Sequence, residues 1–304
     1  RSVAVAPGVP SVTAVEVYNY RMLSVRWDPV GAGDLSEYRV YRAALQNLAL
    51  NYGFETLGFD DWGLVGTPGG GESTTQTAAL RHSGAYALQI IAAGTGGFAR
   101  FQDITVTSGA TYTLCGWARI TAYTAGQLLI RALHGASIST AVTLSAVDSN
   151  WAFGAVTFVA AATTVRIECR ATLASTFTGF CDDIILVAGT PNPNILVGEV
   201  RTNHFIETGL FAEGFAQFFS VSALDHTENE STKSTYAGVT PVRIPNEDLP
   251  NNAPLALTGL AVSSSGTYQS TDGTTLAFVV FTWTNPTDTK RAFVEVAYRR
   301  NGNS

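Results

Sequence analysis

The chain has 304 residues, 46 % of them hydrophobic and only 14 % charged, with a formal net charge of −6. That length allows two or three domains with a sizeable core, and a charged fraction well under the usual figure of about 25 % points away from long solvent-facing helices. Lys occurs only at positions 233 and 290. The clustered cations that nucleic acid or an anionic membrane would require are therefore missing, so neither is expected as a partner. Thr, Ser, Ala, Gly and Val are abundant instead, which favours strands. No apolar run approaches the roughly 20 residues of a spanning helix, and no signal peptide is visible. Cys115, Cys169 and Cys181 lie in strand-like runs at no zinc-type spacing. They read as small core residues of a chain assembled in a reducing compartment.

Taken in chain order, residues 1–9 read as a linker. Residues 10–45 carry three strand signals, "SVTAVEV", "MLSVRWDP" and "EYRVYRA", separated by turn chemistry such as "GAGD". Three strands leave one inner face uncovered and cannot close a sandwich. A new unit nevertheless opens at "NYGFE", without a Pro/Gly-rich linker. Residues 46–191 then show eight or more short strands divided by turns, among them "GFARFQDITV", "TYTLCGWARI", "GQLLIRALHG", "WAFGAVTFVA", "TTVRIECRAT" and "GFCDDIILVA". Helical periodicity is absent, so this stretch is expected to be a β-sandwich. Residues 192–243 resume with "ILVGEV", "NHFIETGL", "AQFFSVSALD" and "TKSTYAGVTP". Residues 244–254, "IPNEDLPNNAP" in essence, form a second linker. Residues 255–304 begin another module with "LALTGLAVSS", "LAFVVFTWTNP" and "RAFVEVAYRR", and stop in mid-domain, as a piece of a longer chain does.

The outer pieces resemble a fibronectin type III domain. A Trp-Asp-Pro strand B, a Tyr-x-Val-Tyr strand C, an aromatic-rich strand F and an exit strand follow in that family's order. Residues 10–45 and 192–243 would make one domain split by an insertion, and residues 255–304 part of a second. The insertion resembles jelly-roll carbohydrate-binding modules of the xylan- and glucan-binding type, through "NYGFE", "HSGAYALQI", "ITVTSGATYTLCGWARI", "WAFGAVTFVA" and "FCDDIILV". The fold expectation is all-β: a fibronectin type III sandwich, an inserted jelly-roll β-sandwich, and the start of a second fibronectin type III sandwich.

Calcium enters through this resemblance, which implies a structural ion where the first and last strands of the insertion meet. Glu55, Ser83, Asp182 and Asp183 are its candidate ligands, since a hard cation takes carboxylate and carbonyl oxygens. No other cofactor is expected. For a glycan, an aromatic face and planar polar groups are needed. Strand alternation puts Trp117 and Arg119 on one face, and Gln127 and Arg131 on a comparable one. With Tyr123 in the turn "TAYTAG" and Trp62, they form the candidate carbohydrate site. The competing reading packs Trp117 under a loop.

Catalysis is not expected. The four histidines are scattered, none has a Ser or Cys partner in a nucleophile elbow, and "GTPGGGES" lacks the Lys of a phosphate loop. Sandwich modules interrupted by a carbohydrate-binding-type domain resemble the tail-tip or central-fibre proteins of siphophages. That resemblance implies a virion protein assembled in the host cytoplasm, a homotrimer among other tail proteins, touching a bacterial surface glycan during adsorption. The alternative is a non-catalytic spacer or binding region of a secreted polysaccharide-degrading enzyme or of a surface adhesin.

Overall fold

The computed structural model describes residues 6–19, 22–31, 35–56, 58–59, 61–94, 96–208, 211–212, 214–241, 258–269 and 275–284. The chain opens with β1 (Ser11–Asn19), β2 (Met22–Asp28) and β3 (Leu35–Gln46). Ten strands of the insertion follow: β4 (Gly63–Val65), β5 (Ser73–Thr77), β6 (Ala87–Ala93), β7 (Phe98–Thr105), β8 (Thr111–Ala125), β9 (Leu128–His134), β10 (Ser137–Leu144), β11 (Ala152–Val159), β12 (Thr164–Ala171) and β13 (Thr176–Ala188). The chain then returns through β14 (Ile195–Val200), β15 (His204–Thr208), β16 (Phe215–Asp225) and β17 (Ala237–Val239). Last come β18 (Thr258–Gln269) and β19 (Thr275–Thr284). No helix occurs among the described residues.

Two compact units result, Arg1–Ile244 and Pro245–Ser304. Within the second, β18 and β19 pair antiparallel, from Thr258 opposite Thr284 to Gln269 opposite Thr275. The second linker and the strand expected at "RAFVEVAYRR" lie outside the described residues.

In the first unit, strands from both sides of the insertion share sheets. One sheet runs β1-β2-β15 and the other β14-β3-β16-β17. The first half of the chain supplies two strands to one sheet and one to the other, and the returning half completes both. Their inner faces bury Val15, Leu23, Val25, Trp27, Tyr38, Val40, Phe219 and Val221. Trp27 meets Tyr38 edge-on at 5.3 Å, and the Tyr38 hydroxyl accepts the Val30 N–H at 2.9 Å. The Pro-bounded end of β2 is thereby tied to β3.

An acid-sensitive turn follows β16. The Asp225 carboxylate accepts hydrogen bonds from the backbone N–H groups of Thr227 and Asn229 and from the side chains of both. These bonds, Asn229's first, hold its pKa at about 2, below the ordinary 3.8. The ionised form is favoured by folding, so this contribution to stability is complete above pH about 3.8 and is lost as pH falls through about 2. Melting curves of wild type and Asp225→Asn between pH 2 and 6 should therefore differ most at the upper end and converge at the lower. A constant difference across the range would show that the turn does not depend on the charge.

The insertion is a sandwich of two five-stranded antiparallel sheets, β10-β9-β12-β7-β4 and β11-β8-β13-β6-β5. Residues of period two fill its core: Tyr112, Leu114 and Ala118 from β8, Leu128, Ile130 and Ala132 from β9, and Val165, Ile167 and Cys169 from β12. The sheet centred on β8 and β13 is buried on its second face as well. Cys115, Ile185 and Val187 leave the core side and pack against Ala216 and Phe218 of β16. Trp117 joins the core of the outer sandwich.

The junction is tied by one buried amide. Asn47 donates from Nδ2 to the Ile184 carbonyl at 3.1 Å and to the Thr240 hydroxyl at 3.0 Å. Its Oδ1 accepts from the N–H groups of Ala49 and Leu186, at 3.1 and 2.9 Å. The segment that enters the insertion, its last strand β13, and the exit of the outer sandwich thus meet at a single side chain. Tyr52 adds a further tie, its hydroxyl donating to the Pro241 carbonyl at 3.0 Å.

Candidate functional site

The outer face of the β10-β9-β12-β7-β4 sheet lies away from the contact that β8 and β13 make with the outer sandwich. Pairing fixes its rows: Phe101 lies opposite Glu168, which lies opposite Arg131, and Asp103 lies opposite Arg166. These positions alternate with the core residues Gln102, Ile167 and Ala132, so they point outward. Arg166 grips Asp103 through two bonds of 2.7 and 2.8 Å, and its guanidinium sits 4.0 Å from the centre of the Phe101 ring. The Asp103 carboxyl is held below its usual range chiefly by the Arg166 hydrogen bonds.

Beside that pair, Glu168 is buried at 3 % side-chain exposure and receives Arg131 at 2.8 Å, with Arg170 farther off at 3.6 Å. At the β4 and β7 end the face opens into a groove of about 480 Å³ lined by Leu48, Leu50, Asp61, Phe101 and Asp103, among others. Gln102 shapes its floor. It accepts the Leu50 N–H and donates to the Leu50 and Asp61 carbonyls, pinning the loop between β3 and β4 against β7.

The carbohydrate candidates read from the sequence separate on this geometry. Arg131 stands on the open face, and Gln127 is exposed just ahead of the same strand. Trp117 and Arg119 belong to β8, in the opposite sheet. Trp117 is only 1 % exposed, and its Nε1 donates to the Gly238 carbonyl of β17 at 2.9 Å. It is a contact between the two sandwiches, not a platform. Trp62, at 2 % exposure, is a core residue whose Nε1 donates to the Leu50 and Asn51 carbonyls. Tyr123 packs partly against the core and donates to the Gly126 carbonyl at 3.2 Å. For Trp117 and Arg119 the cause of the separation is sheet order. Alternation tells which residues share a face of one strand, but it does not tell that consecutive strands β8 and β9 cross to different sheets.

The acidic candidates do converge. Glu55 accepts the N–H groups of Ala85 and Tyr86 at 3.0 and 3.1 Å. Asp182 accepts those of His82, Ser83 and Asp183, between 2.8 and 3.1 Å. Asp183, in a left-handed conformation with φ of 48°, accepts from the Ser83 hydroxyl at 2.8 Å and pairs with His82 Nδ1 at 2.7 Å. Burial, aided by the charge of Asp183 and opposed by the Tyr86 and Ala85 N–H bonds, raises the Glu55 pKa to about 7. Burial first and then Asp183 push Asp182 well up too. The oxygen chemistry suits a hard cation, but the oxygens are aimed at N–H and O–H donors. Among the described residues no group of three or more His, Cys, Asp or Glu is disposed to hold a metal ion. As it stands the cluster is a hydrogen-bonded knot.

His82 is the residue that sequence reasoning passed over. Its ring stacks on Trp117 at 4.0 Å and sits 5.7 Å from Trp151, so it links the knot to the contact between the sandwiches.

The fold and this face define a two-sheet antiparallel β-sandwich carried within another. Residues 46–168 match the family model described as carbohydrate binding domain. Among solved structures, one of TmCBM61 in complex with beta-1,4-galactotriose is similar at 19 % identity and a TM-score of 0.39, over 47 % of this chain and 99 % of that one. The CBM22-1 xylan-binding domain from Paenibacillus barcinonensis Xyn10C is similar at 13 % identity and a TM-score of 0.36, over 48 % and 92 %. The enzymatically active domain of bacteriophage CBA120 tailspike protein 4 is similar at 16 % identity and a TM-score of 0.36, over 47 % and 21 %. No curated protein matches the chain.

Proposed function

We propose that the inserted module binds a glycan on the outer face of the β10-β9-β12-β7-β4 sheet, with Arg131 and Gln127 among its contacts. One observation carries this reading: that face holds planar, partly exposed guanidiniums beside a groove, in a chain segment matching a carbohydrate binding domain. Planar donors suit paired hydroxyl or carboxylate oxygens. A glycan array on the 304-residue chain tests it, followed by titration of the best ligand. Arg131→Ala should weaken binding about tenfold or more, as loss of a charge-assisted bond does. Arg119→Ala, on the covered sheet, should change it little. The reverse pattern would move the site to β8.

The finer reading is a structural and adhesive part of a phage tail tip or central fibre. Here the outer sandwich is a fibronectin type III module, and three chains together with other tail proteins present the insertion to a bacterial surface. What supports it is the mounting. A module fixed through two chain crossings and a buried interface holds its direction, which suits display in several copies more than tethering. Light scattering giving a monomer at all concentrations would remove the trimer from this picture.

We also propose that the acidic knot takes a structural calcium ion. Glu55, Asp182 and Asp183 all hold the same loop, residues 82–86, and a divalent cation drawn among them would offset their repulsion. Calcium should then raise the melting temperature over that in chelator, and Asp183→Asn should abolish the difference. Equal melting in calcium and chelator would remove the ion.

A further inference from the structure

The chemistry of the open face narrows the kind of glycan. We infer that it selects an acidic polysaccharide bearing carboxylates, held through Arg170, Arg131 and Arg166, over a neutral one; this rests on the glycan reading above.

Neutral sugar chains are usually gripped by an aromatic ring lying flat against the pyranose, with dispersion and apolar burial as the main attraction. That device is spent here. Phe101 is the aromatic residue in the central rows of the face, and its ring is already covered. The Arg166 guanidinium lies 4.0 Å from its centre, and the ring lies so close over Gly63 that a Cβ there would come within 2.7 Å of it. A sugar would have to displace Arg166 from both Phe101 and its two-bonded partner Asp103 to stack.

Charge is what remains on offer. The central rows hold three guanidiniums, Arg131, Arg166 and Arg170, against two carboxylates, Asp103 and Glu168, so one positive charge is in excess there, away from Asp61 at the groove end. The whole chain carries −6, which makes a positive patch on it a local departure rather than a general tendency. The excess resides on Arg170. Glu168 is shared, with Arg131 at 2.8 Å and Arg170 at 3.6 Å, beyond hydrogen-bond length. The Arg170 side chain is 23 % exposed and Glu168 only 3 %, so the cation faces outward and the anion is sunk beneath it. A partly desolvated guanidinium with unused planar donors is matched by a carboxylate, which can accept two parallel bonds.

The experiment uses the 304-residue chain with polygalacturonate, alginate and hyaluronate, each compared with its carboxyl-reduced, neutral counterpart. Xylan and beta-1,4-galactan serve as further neutral probes. At least one uronate should bind about tenfold or more tightly than its reduced form, as expected for bonds to a charged group. That preference should shrink with added salt. In Arg170→Gln, and separately in Arg166→Gln, the ratio of the two affinities should fall towards one. The ratio is informative because a merely structural loss would weaken both ligands together. Binding to neutral chains alone, or equally to acid and reduced forms, overturns this inference and leaves the glycan reading standing. A preference that persists in both variants places the anion site elsewhere and overturns it too. Binding to none of the probes counts against both.

Discussion

Replacing Trp117 with alanine should destabilise the first unit by about 3–5 kcal/mol, the range for truncating a fully buried large aromatic side chain. The indole lies between two sandwiches. His82 stacks on it at 4.0 Å from the side of the acidic knot, and Phe153 packs at 5.1 Å from β11. Its N–H is committed to the Gly238 carbonyl. Truncation removes that packing, leaves the carbonyl without its donor, and leaves His82 without the surface it rests on. Urea unfolding of wild type and Trp117→Ala reads the effect directly. Trp117→Phe should recover part of the loss, because it restores the ring but not the N–H. A small stability change together with loss of glycan binding would show instead that the indole serves a ligand.

The same residue shows how far the sequence could be read. Alternation placed Tyr112, Leu114 and Ala118 on one face of β8 and Trp117 on the other, and burial follows that division. What alternation could not supply was the environment of the second face. An outward Trp beside an Arg looks the same whether sugar, solvent or another sheet lies against it. A signal was present in β13, where "IILVA" (Ile184–Ala188) is apolar without interruption. A strand that is apolar at every position is one covered on both sides. The companion signal is "FAQFFSVSALD" in β16, where Phe218 and Phe219 are adjacent and both fully buried, so they must serve two different interiors. Read together, the two runs mark the strands that meet.

The acidic residues were legible for a different reason. Glu55, Asp182 and Asp183 lie at the start and end of the insertion, and a chain that leaves and resumes its host must bring those ends together. The family resemblance implied their convergence, and the topology of an insertion points the same way. Arg166 and Arg170 were legible as outward positions of β12, but their partners on β7 and β9 depend on sheet order. No single strand contains that information.

The second large effect is expected at Asn47, where convergence of the two ends is enforced. Asn47→Ala should cost about 3 kcal/mol, since it leaves the N–H groups of Ala49 and Leu186 and the Ile184 carbonyl to find new partners in a buried place. Backbone ties flank the site, from Asn47 N–H to the Gly214 carbonyl at 2.7 Å and from Leu48 N–H to the Leu186 carbonyl at 2.8 Å, so the junction should loosen rather than come apart. Asn47→Asp should be worse than alanine. It keeps the acceptor but turns the donor into an anionic oxygen facing the Ile184 carbonyl, and Asn47 is only 7 % exposed. Hydrogen exchange separates this from general destabilisation. Wild type should protect the amides of Leu186 and of β17 to a similar extent, as parts of one cooperative body. In Asn47→Ala the amides on either side of the junction should exchange at different rates, with the inserted core still protected. Exchange that rises uniformly through both sandwiches would mean that Asn47 adds stability without coupling them. The buried face around Trp117 would then carry the rigid mounting alone.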